Sequence, residues 1–390
     1  QYLVKQDPRD IGLKDLSGMG SLAKADELMQ QWAYETFDGD DIPMCQFTML
    51  KLPEGYNGFF VHMDHRLIDS CGLVVMIGDL FQLYTYYKYG TAHPQELADF
   101  ETVLKKDLAK AGNEKRFAKD KKFWDDQLDA LGEPLYSDIQ GPSVLEEARK
   151  RHGNPKLRSS DIEMKNLFVA VKDYYLEPGP TQNLIDFCMN HQLSMTNLLL
   201  LGIRTYLSKV NNGQEDITIQ NFISRRSTHD EWTSGGSRTI MFPCRTVIAP
   251  ETDFLSAAYE IQNMQNRIYM HSNYDPALIM DEMRKRYNTP EHTGYESCYL
   301  TYQPMPVKVE NEMLGTIRQH AKWFANGAAT KKMYLTVSHT EDGGMNFSYH
   351  YQTAHLEEHD MELLYYYMMR ILFKGIAEPD MSIGEIMELV

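Results

Sequence analysis

The chain has 390 residues, a formal net charge of −16 and an apolar fraction of 43%. That length points to two core-bearing lobes, and the acidic balance argues against a nucleic-acid partner, because neutralising phosphates takes a basic face. No apolar run is long enough for a membrane span; the longest, residues 73–89, is broken by Gly78, Asp79, Gln82 and Lys88.

Residues 1–15 lack an initiator Met and the apolar core of a signal peptide. They begin inside what reads as a strand, which points to a start upstream. Residues 46–52 and 58–64 read as strands joined by a turn-rich stretch. Phe59, Phe60, Val61 and Met63 make the second strand apolar on both faces, as a central strand would be. A helix follows over about 72–89, with Val74, Ile77, Phe81 and Tyr84 on one stripe and Gly90 as its stop. Residues 105–122 carry a run of lysines that reads as a solvated helix face, or as a docking patch for an acidic partner. A helix over 115–131 turns Phe117, Trp124 and Leu128 inward.

From 132 to about 165 the periodicity dissolves into Gly, Pro, Ser and charged residues, which read as a linker between lobes. Beyond it come a strand at 167–175, a short helix at 181–191 and an apolar helix at 195–210 capped by Ser194 or Thr196. Strands at 216–223 and 240–248 precede a helix at 253–271. Strands at 296–303, 332–339 and 345–351 follow, the last two joined by Glu341-Asp342-Gly343-Gly344, a hairpin signal. A helix covers 357–373. This alternation without a strict βαβ rhythm predicts an α/β protein with mixed sheets, divided into residues 1–165 and 166–390.

The segment Asp64-His65-Arg66-Leu67-Ile68-Asp69-Ser70-Cys71-Gly72 lies between a strand and a helix, where rigid elements hold a loop on both sides. An imidazole there can take a proton from an amine or hydroxyl near neutral pH, an effect worth about 10²–10⁴-fold in rate. A buried Asp69 would pair with an arginine to fix the loop, and Ser70 and Gly72 would allow close backbone approach. A metal site from His62, His65 and Asp69 is set aside, because alternation turns His62 to the opposite face. The five cysteines, Cys45, Cys71, Cys188, Cys244 and Cys298, are scattered and odd in number, which suits a reducing, cytoplasmic setting.

These fragments, in this order and spacing, resemble the condensation domains of nonribosomal peptide synthetases, within the chloramphenicol-acetyltransferase-like superfamily. The family's H-H-x-x-x-D-G signature falls on 64–70, with Asp64 for the first histidine and Ser70 for the glycine. The LVVMIGDLFQLY of 73–84, Phe123-Trp124 with Leu128, the segment from Met195 to Arg226, the G-x-F-V-N-T-x-P-x-R-like 236–245 with Ile240 for the asparagine, YLTYQP at 299–304 and PDMSIGEIMEL near the end are similar too.

The resemblance implies two chloramphenicol-acetyltransferase-like lobes in a V-shaped pseudo-dimer, the first without the family's opening strand and helix. It implies an amide-forming acyltransferase in which His65 orients or deprotonates an amine that attacks a carrier-bound acyl thioester. Asp69, Asp64, Ser70, Gly72, Arg226 and Arg245 would support the loop, and Tyr302, Gln303 and Ile240 would line a tunnel. The implied partners are donor and acceptor carrier proteins with phosphopantetheine arms, and neighbouring synthetase domains. No permanent cofactor or metal is implied. The alternatives are a stand-alone transferase using a free amine, alcohol or acyl-CoA, and a degenerate docking domain. A Ser70 held at positive φ would carry strain.

Overall fold

A computed structural model of the protein describes residues 9–38, 41–303 and 322–390. Among these, residues 9–38, 41–100, 227–238 and 322–327 gather into one compact unit, and 101–226, 239–303 and 328–390 into a second. The chain thus returns twice to the first unit, where the sequence suggested a single division at 165. The reading of the opening residues as a strand falls mainly on 1–8, outside the described residues.

The first unit holds a three-stranded sheet of β1 (Gly12–Asp15), β2 (Cys45–Lys51) and β3 (Asn57–Met63) in the order β1-β2-β3. β1 runs parallel to β2, and β3 is antiparallel to it. The two-faced apolar β3 is therefore an edge strand of this sheet, not a central one. Its apolarity has another cause, since both of its faces meet aromatic rings. Phe60 packs at 5.5 Å from Trp32 of the Leu22–Trp32 helix, and Phe59 lies 6.3 Å from Phe81 of the Ser70–Tyr89 helix. The small core here is Ala25, Met29, Leu50 and Phe60. On the Ser70–Tyr89 helix only Gly72 and Thr85 are buried. Tyr84, read as inward, is exposed and takes Lys88 Nζ at its hydroxyl.

The second unit begins with the helices Phe100–Ala111, whose first residue still belongs to the first unit, and Glu114–Leu131. Their lysines pair locally at one-turn spacing with Glu101, Asp125 and Asp126, as solvated faces do. Trp124 and Leu128 are buried, whereas Phe117 is exposed and edges Tyr274. The stretch 132–165 is packed structure and not a linker: it contains the Ser143–Arg151 helix and β4 (Ser160–Asp161), and Tyr136, Ser137, Asp138 and Ile139 are all buried. Its polar composition satisfies internal partners; Lys332 Nζ, for example, meets Asp138 at 2.6 Å.

Six further strands make the main sheet: β5 (Val169–Leu176), β6 (Asp216–Ser224), β7 (Thr239–Val247), β9 (Cys298–Gln303), β10 (Met333–His339) and β11 (Met345–Gln352). Their order is β5-β11-β10-β9-β6-β7, while β8 (Thr293–Gly294) pairs with β4 in a sheet of two. The helices Met195–Val210, Phe254–Met270 and Glu358–Ala377 cover one face and build the core with it. Thirteen of the sixteen residues of the Met195–Val210 helix are buried, which is why it reads as apolar all round. Ser194 caps it.

Alternation sorts the strand side chains. Leu300, Leu335, Val337, Phe347 and Tyr349 are fully buried toward the helices. Tyr299, Thr301, Tyr334, Thr336, Ser348 and His350 share the opposite, half-buried face. The helices Pro276–Tyr287 and Ile383–Leu389, the short His229–Thr233 helix and the Leu22–Trp32 helix are additions to what periodicity indicated. Among the described residues no helix is long and apolar enough to cross a membrane.

Candidate active site

His65 sits in the turn between β3 and the Ser70–Tyr89 helix. The turn closes through Leu67 N–H on the Asp64 carbonyl (2.9 Å), and Asp64 N–H reaches Met44 O at 2.9 Å. Asp64 also accepts Arg66 N–H at 2.8 Å and its guanidinium at 2.9 and 2.7 Å. The Arg66 side chain holds the Asp64 carboxyl below its usual range. Asp64 therefore clamps the Arg66 guanidinium within the turn.

The His65 side chain is exposed, and its Nδ1 lies 2.8 Å from the Ile68 carbonyl. A carbonyl oxygen can only accept, so Nδ1 carries the hydrogen of that bond. In the neutral ring the lone pair is then on Nε2. The imidazole is thus oriented through Nδ1, which leaves the Nε2 lone pair without a bond to Ile68.

Asp69 is 4% exposed and does two jobs at once. Its Oδ1 accepts Gly72 N–H at 2.9 Å, which caps the twenty-residue helix, and its Oδ2 accepts Arg238 N–H at 2.7 Å. Gly72 N–H is thus committed to the cap. Ser70 is the first helical residue and does not have positive φ, so the serine is unstrained there.

Asp69 N–H also reaches Gly236 O at 3.4 Å. The two backbones approach closely: a Cβ on Gly72 would stand 2.5 Å from Gly236 O. Gly236 has φ +69°, and a Cβ there would run into the Phe100 ring. Only glycine fits at either position.

The 234–238 segment was not assigned a role from sequence, although it braces the loop. Arg238 is buried, and its guanidinium lies 3.3 Å from Glu231 Oε1. Glu231 in turn accepts Ser227 N–H at 2.7 Å and Thr228 N–H at 3.0 Å, closing a capping box with Thr228. The T-x-x-E spacing at 228–231 and the paired Gly235-Gly236 were the available signals.

The other expected support residues, Arg226 and Arg245, belong to the second unit. There Arg245 grips Asp216 at 2.7 Å through two nitrogens and donates to the Gly132 carbonyl at 2.6 Å. Its donors are consumed in fixing the 131–133 turn. Arg226 is buried just past β6, with Nη1 3.4 Å from Ser224 Oγ.

The three tunnel candidates divide by strand alternation. Tyr302 and Ile240 pack against the helix-covered core, and Tyr302 bonds His339 Nε2 at 2.7 Å. Burial pushes the Tyr302 phenol up to about 12. Gln303 falls on the opposite face, with Tyr299 and Thr301. His62 packs its ring 4.6 Å from Phe37.

Ile68 and Gly72 also border an apolar cleft of about 440 Å³ within the first unit, together with Phe47, Met76 and Leu80. Asp79 is the one charged residue in its lining among the described residues. Such walls take an aliphatic group more readily than a charged one.

Comparison with known proteins gives a consistent family likeness. The Condensation domain family matches residues 1–389. A plipastatin synthase protein of Bacillus subtilis (strain 168) is 20% identical over 94% of this chain. Surfactin synthase subunit 1 of the same organism is 19% identical over 99% of it. The chain spans 13% and 10% of the lengths of these two proteins. Among solved structures, the first condensation domain of the CDA synthetase superposes with a TM-score of 0.71 at 16% identity, covering 97% of this chain and 78% of that one. The condensation enzyme VibH gives 0.73 at 14% identity, covering 98% and 85%. The X-domain from teicoplanin biosynthesis gives 0.73 at 14%, covering 97% and 82%.

Proposed function

The chain belongs to the condensation-domain family, and from that premise we propose that it is a cytoplasmic acyltransferase forming amide bonds, with His65 as its catalytic residue. The donor is an acyl or aminoacyl thioester on the phosphopantetheine arm of a carrier protein, and the acceptor is an amine on a second carrier. The amine nitrogen attacks the thioester carbonyl and His65 Nε2 takes its proton. The C–N bond forms, the C–S bond breaks, and the proton goes to the departing thiolate.

The observation that carries this reading is the single bond from His65 Nδ1 to the Ile68 carbonyl. It presents Nε2 as a basic nitrogen on an exposed turn whose base is locked by Asp69. Asp69 touches no reacting atom in this scheme and acts as a positioning residue, as do Asp64, Gly72, Arg238 and Glu231.

The test is single-turnover acyl transfer from a loaded carrier protein to an amine acceptor, comparing the wild type with His65→Ala. The reading expects a loss of about 10²–10⁴-fold with unchanged circular dichroism. Equal rates would remove His65 from the mechanism. Transfer from free acyl-CoA at the same rate would favour the stand-alone alternative. A docking domain is the second reading, favoured by the likeness to a teicoplanin X-domain whose complex with OxyB has been solved; inactivity of the wild type towards every donor would support it.

A further inference from the structure

Among the described residues outside the His65 loop, Lys331 is a cation that no described carboxylate pairs. It lies just before β10 in the second unit and is half-buried. Its Nζ stands 5.6 Å from the Tyr299 ring centroid and 5.7 Å from that of Phe222. It makes no hydrogen bond or ion pair with a described residue, whereas the adjacent Lys332 is held by Asp138 at 2.6 Å. Two aromatic faces lend an ammonium some attraction but leave its charge uncompensated. Burial accordingly lowers the Lys331 pKa, and no described carboxylate counters it.

Tyr299 and Phe222 belong to the face of the main sheet opposite the one that the three core helices cover. Their neighbours include hydrogen-bonding groups: Tyr334 donates to Thr301 Oγ1 at 3.0 Å, and the His350 ring, which feels the Asp173 carboxylate on β5, lies 6.2 Å from that of Tyr334. Glu296, the acid just before β9, is committed to Gln220 and to Tyr295 N–H at 3.0 Å, and burial raises its pKa.

We propose that Lys331 anchors an anion-binding site on this face, taking a carboxylate or phosphate whose ligand lays its apolar body against Tyr299 and Phe222. A lysine acts as a point charge toward such groups and loses its desolvation penalty when the anion arrives. Naming the source rests on the acyltransferase reading: it is either an acidic acyl group or the phosphate of the pantetheine arm.

Protection of Lys331 from an amine-reactive ester, read by mass spectrometry, tests this without any turnover. Protection by phosphopantetheine but not by pantetheine supports the site with phosphate as the source. Protection by glutaryl-pantetheine but not by butyryl-pantetheine supports it with a carboxylate. By calorimetry, Lys331→Gln weakens binding of the protecting compound about tenfold, the value of a charge-assisted bond, and Lys331→Arg recovers most of it. Labelling that none of the four compounds slows, with no binding difference in Lys331→Gln, overturns the site. Protection in a protein that transfers no acyl group keeps the site and rejects the transferase reading; turnover without protection does the reverse.

Discussion

Removing the Asp69 carboxylate is the perturbation that bears most directly on how the site is built. Asp69→Ala takes the acceptor from two backbone donors, Gly72 N–H at 2.9 Å and Arg238 N–H at 2.7 Å, at a residue only 4% exposed. Loss of an N-cap costs about 0.5–2 kcal/mol, and a buried donor left without a partner about 1–3 kcal/mol. The two together predict about 1.5–5 kcal/mol. Asp69→Asn keeps one oxygen but turns an amide NH₂ toward one of the donors, so it recovers no more than about half of that loss. Native-state hydrogen exchange reads the effect locally. A loss of about 2.8 kcal/mol corresponds to roughly hundredfold faster exchange at the Gly72 and Arg238 amides, with the Met195–Val210 helix unchanged. Exchange at both amides within about twofold of the wild type would refute the claim that this carboxylate joins the two segments.

The glycine contacts predict that Gly236→Ala, with positive φ and the Phe100 ring in the way of its Cβ, destabilises the first unit. Gly78→Ala, where a Cβ meets nothing within 4 Å on the Ser70–Tyr89 helix, stabilises it by about 0.5–1 kcal/mol in urea unfolding. The backbone N–H groups of Asn166 and Lys165, with His355, hold Glu163 down from 4.5 to about 2. The Thr340 and Tyr175 hydroxyls and Gly344 N–H hold Asp342 down from 3.8 to about 2. Both folded values are depressed, so their stabilisation is complete above pH 4.5 and is lost as pH falls toward about 2. Glu163→Gln with Asp342→Asn should flatten the unfolding profile across that window. Burial lowers His350 below 6.5, so the unfolded chain binds more protons there and stability falls as pH drops below 6.5; His350→Gln should reduce that slope. Burial pushes the thiols of Cys188 and Cys298 up to about 12 and that of Cys244 to about 11. Native alkylation should therefore modify only Cys45 and Cys71, with modification of the other three contradicting their burial.

Elements whose signal is local were readable from the chain. The Met195–Val210 helix, the β10–β11 hairpin and the strand–turn–helix around His65 each declare themselves through period, cap and turn residues a few positions apart. Segments whose polarity is satisfied at a distance were misread. The 132–165 stretch lacks periodicity because its buried Asp138 answers to Lys332, nearly two hundred residues away in sequence. β3 looked central because its rings meet two helices, although its hydrogen bonds make it an edge.

The same division runs through the candidate site. His65 and Asp69 stood out through the family resemblance, and the local strand end and helix cap around them are built from adjacent residues. Which arginines matter could not be picked out, since every arginine in a sequence looks alike until its carboxylate is known. Arg245 turned out to serve Asp216, while Arg238, with Glu231 behind it, meets Asp69 through its backbone. Facing is likewise a tertiary property: one residue of offset along β9 sends Tyr302 into the core and Gln303 to the other side. Short-range patterning set the strand, turn and helix cap of the loop; the long-range hydrogen bonds, formed only once the chain has folded back on itself, set what holds that loop still.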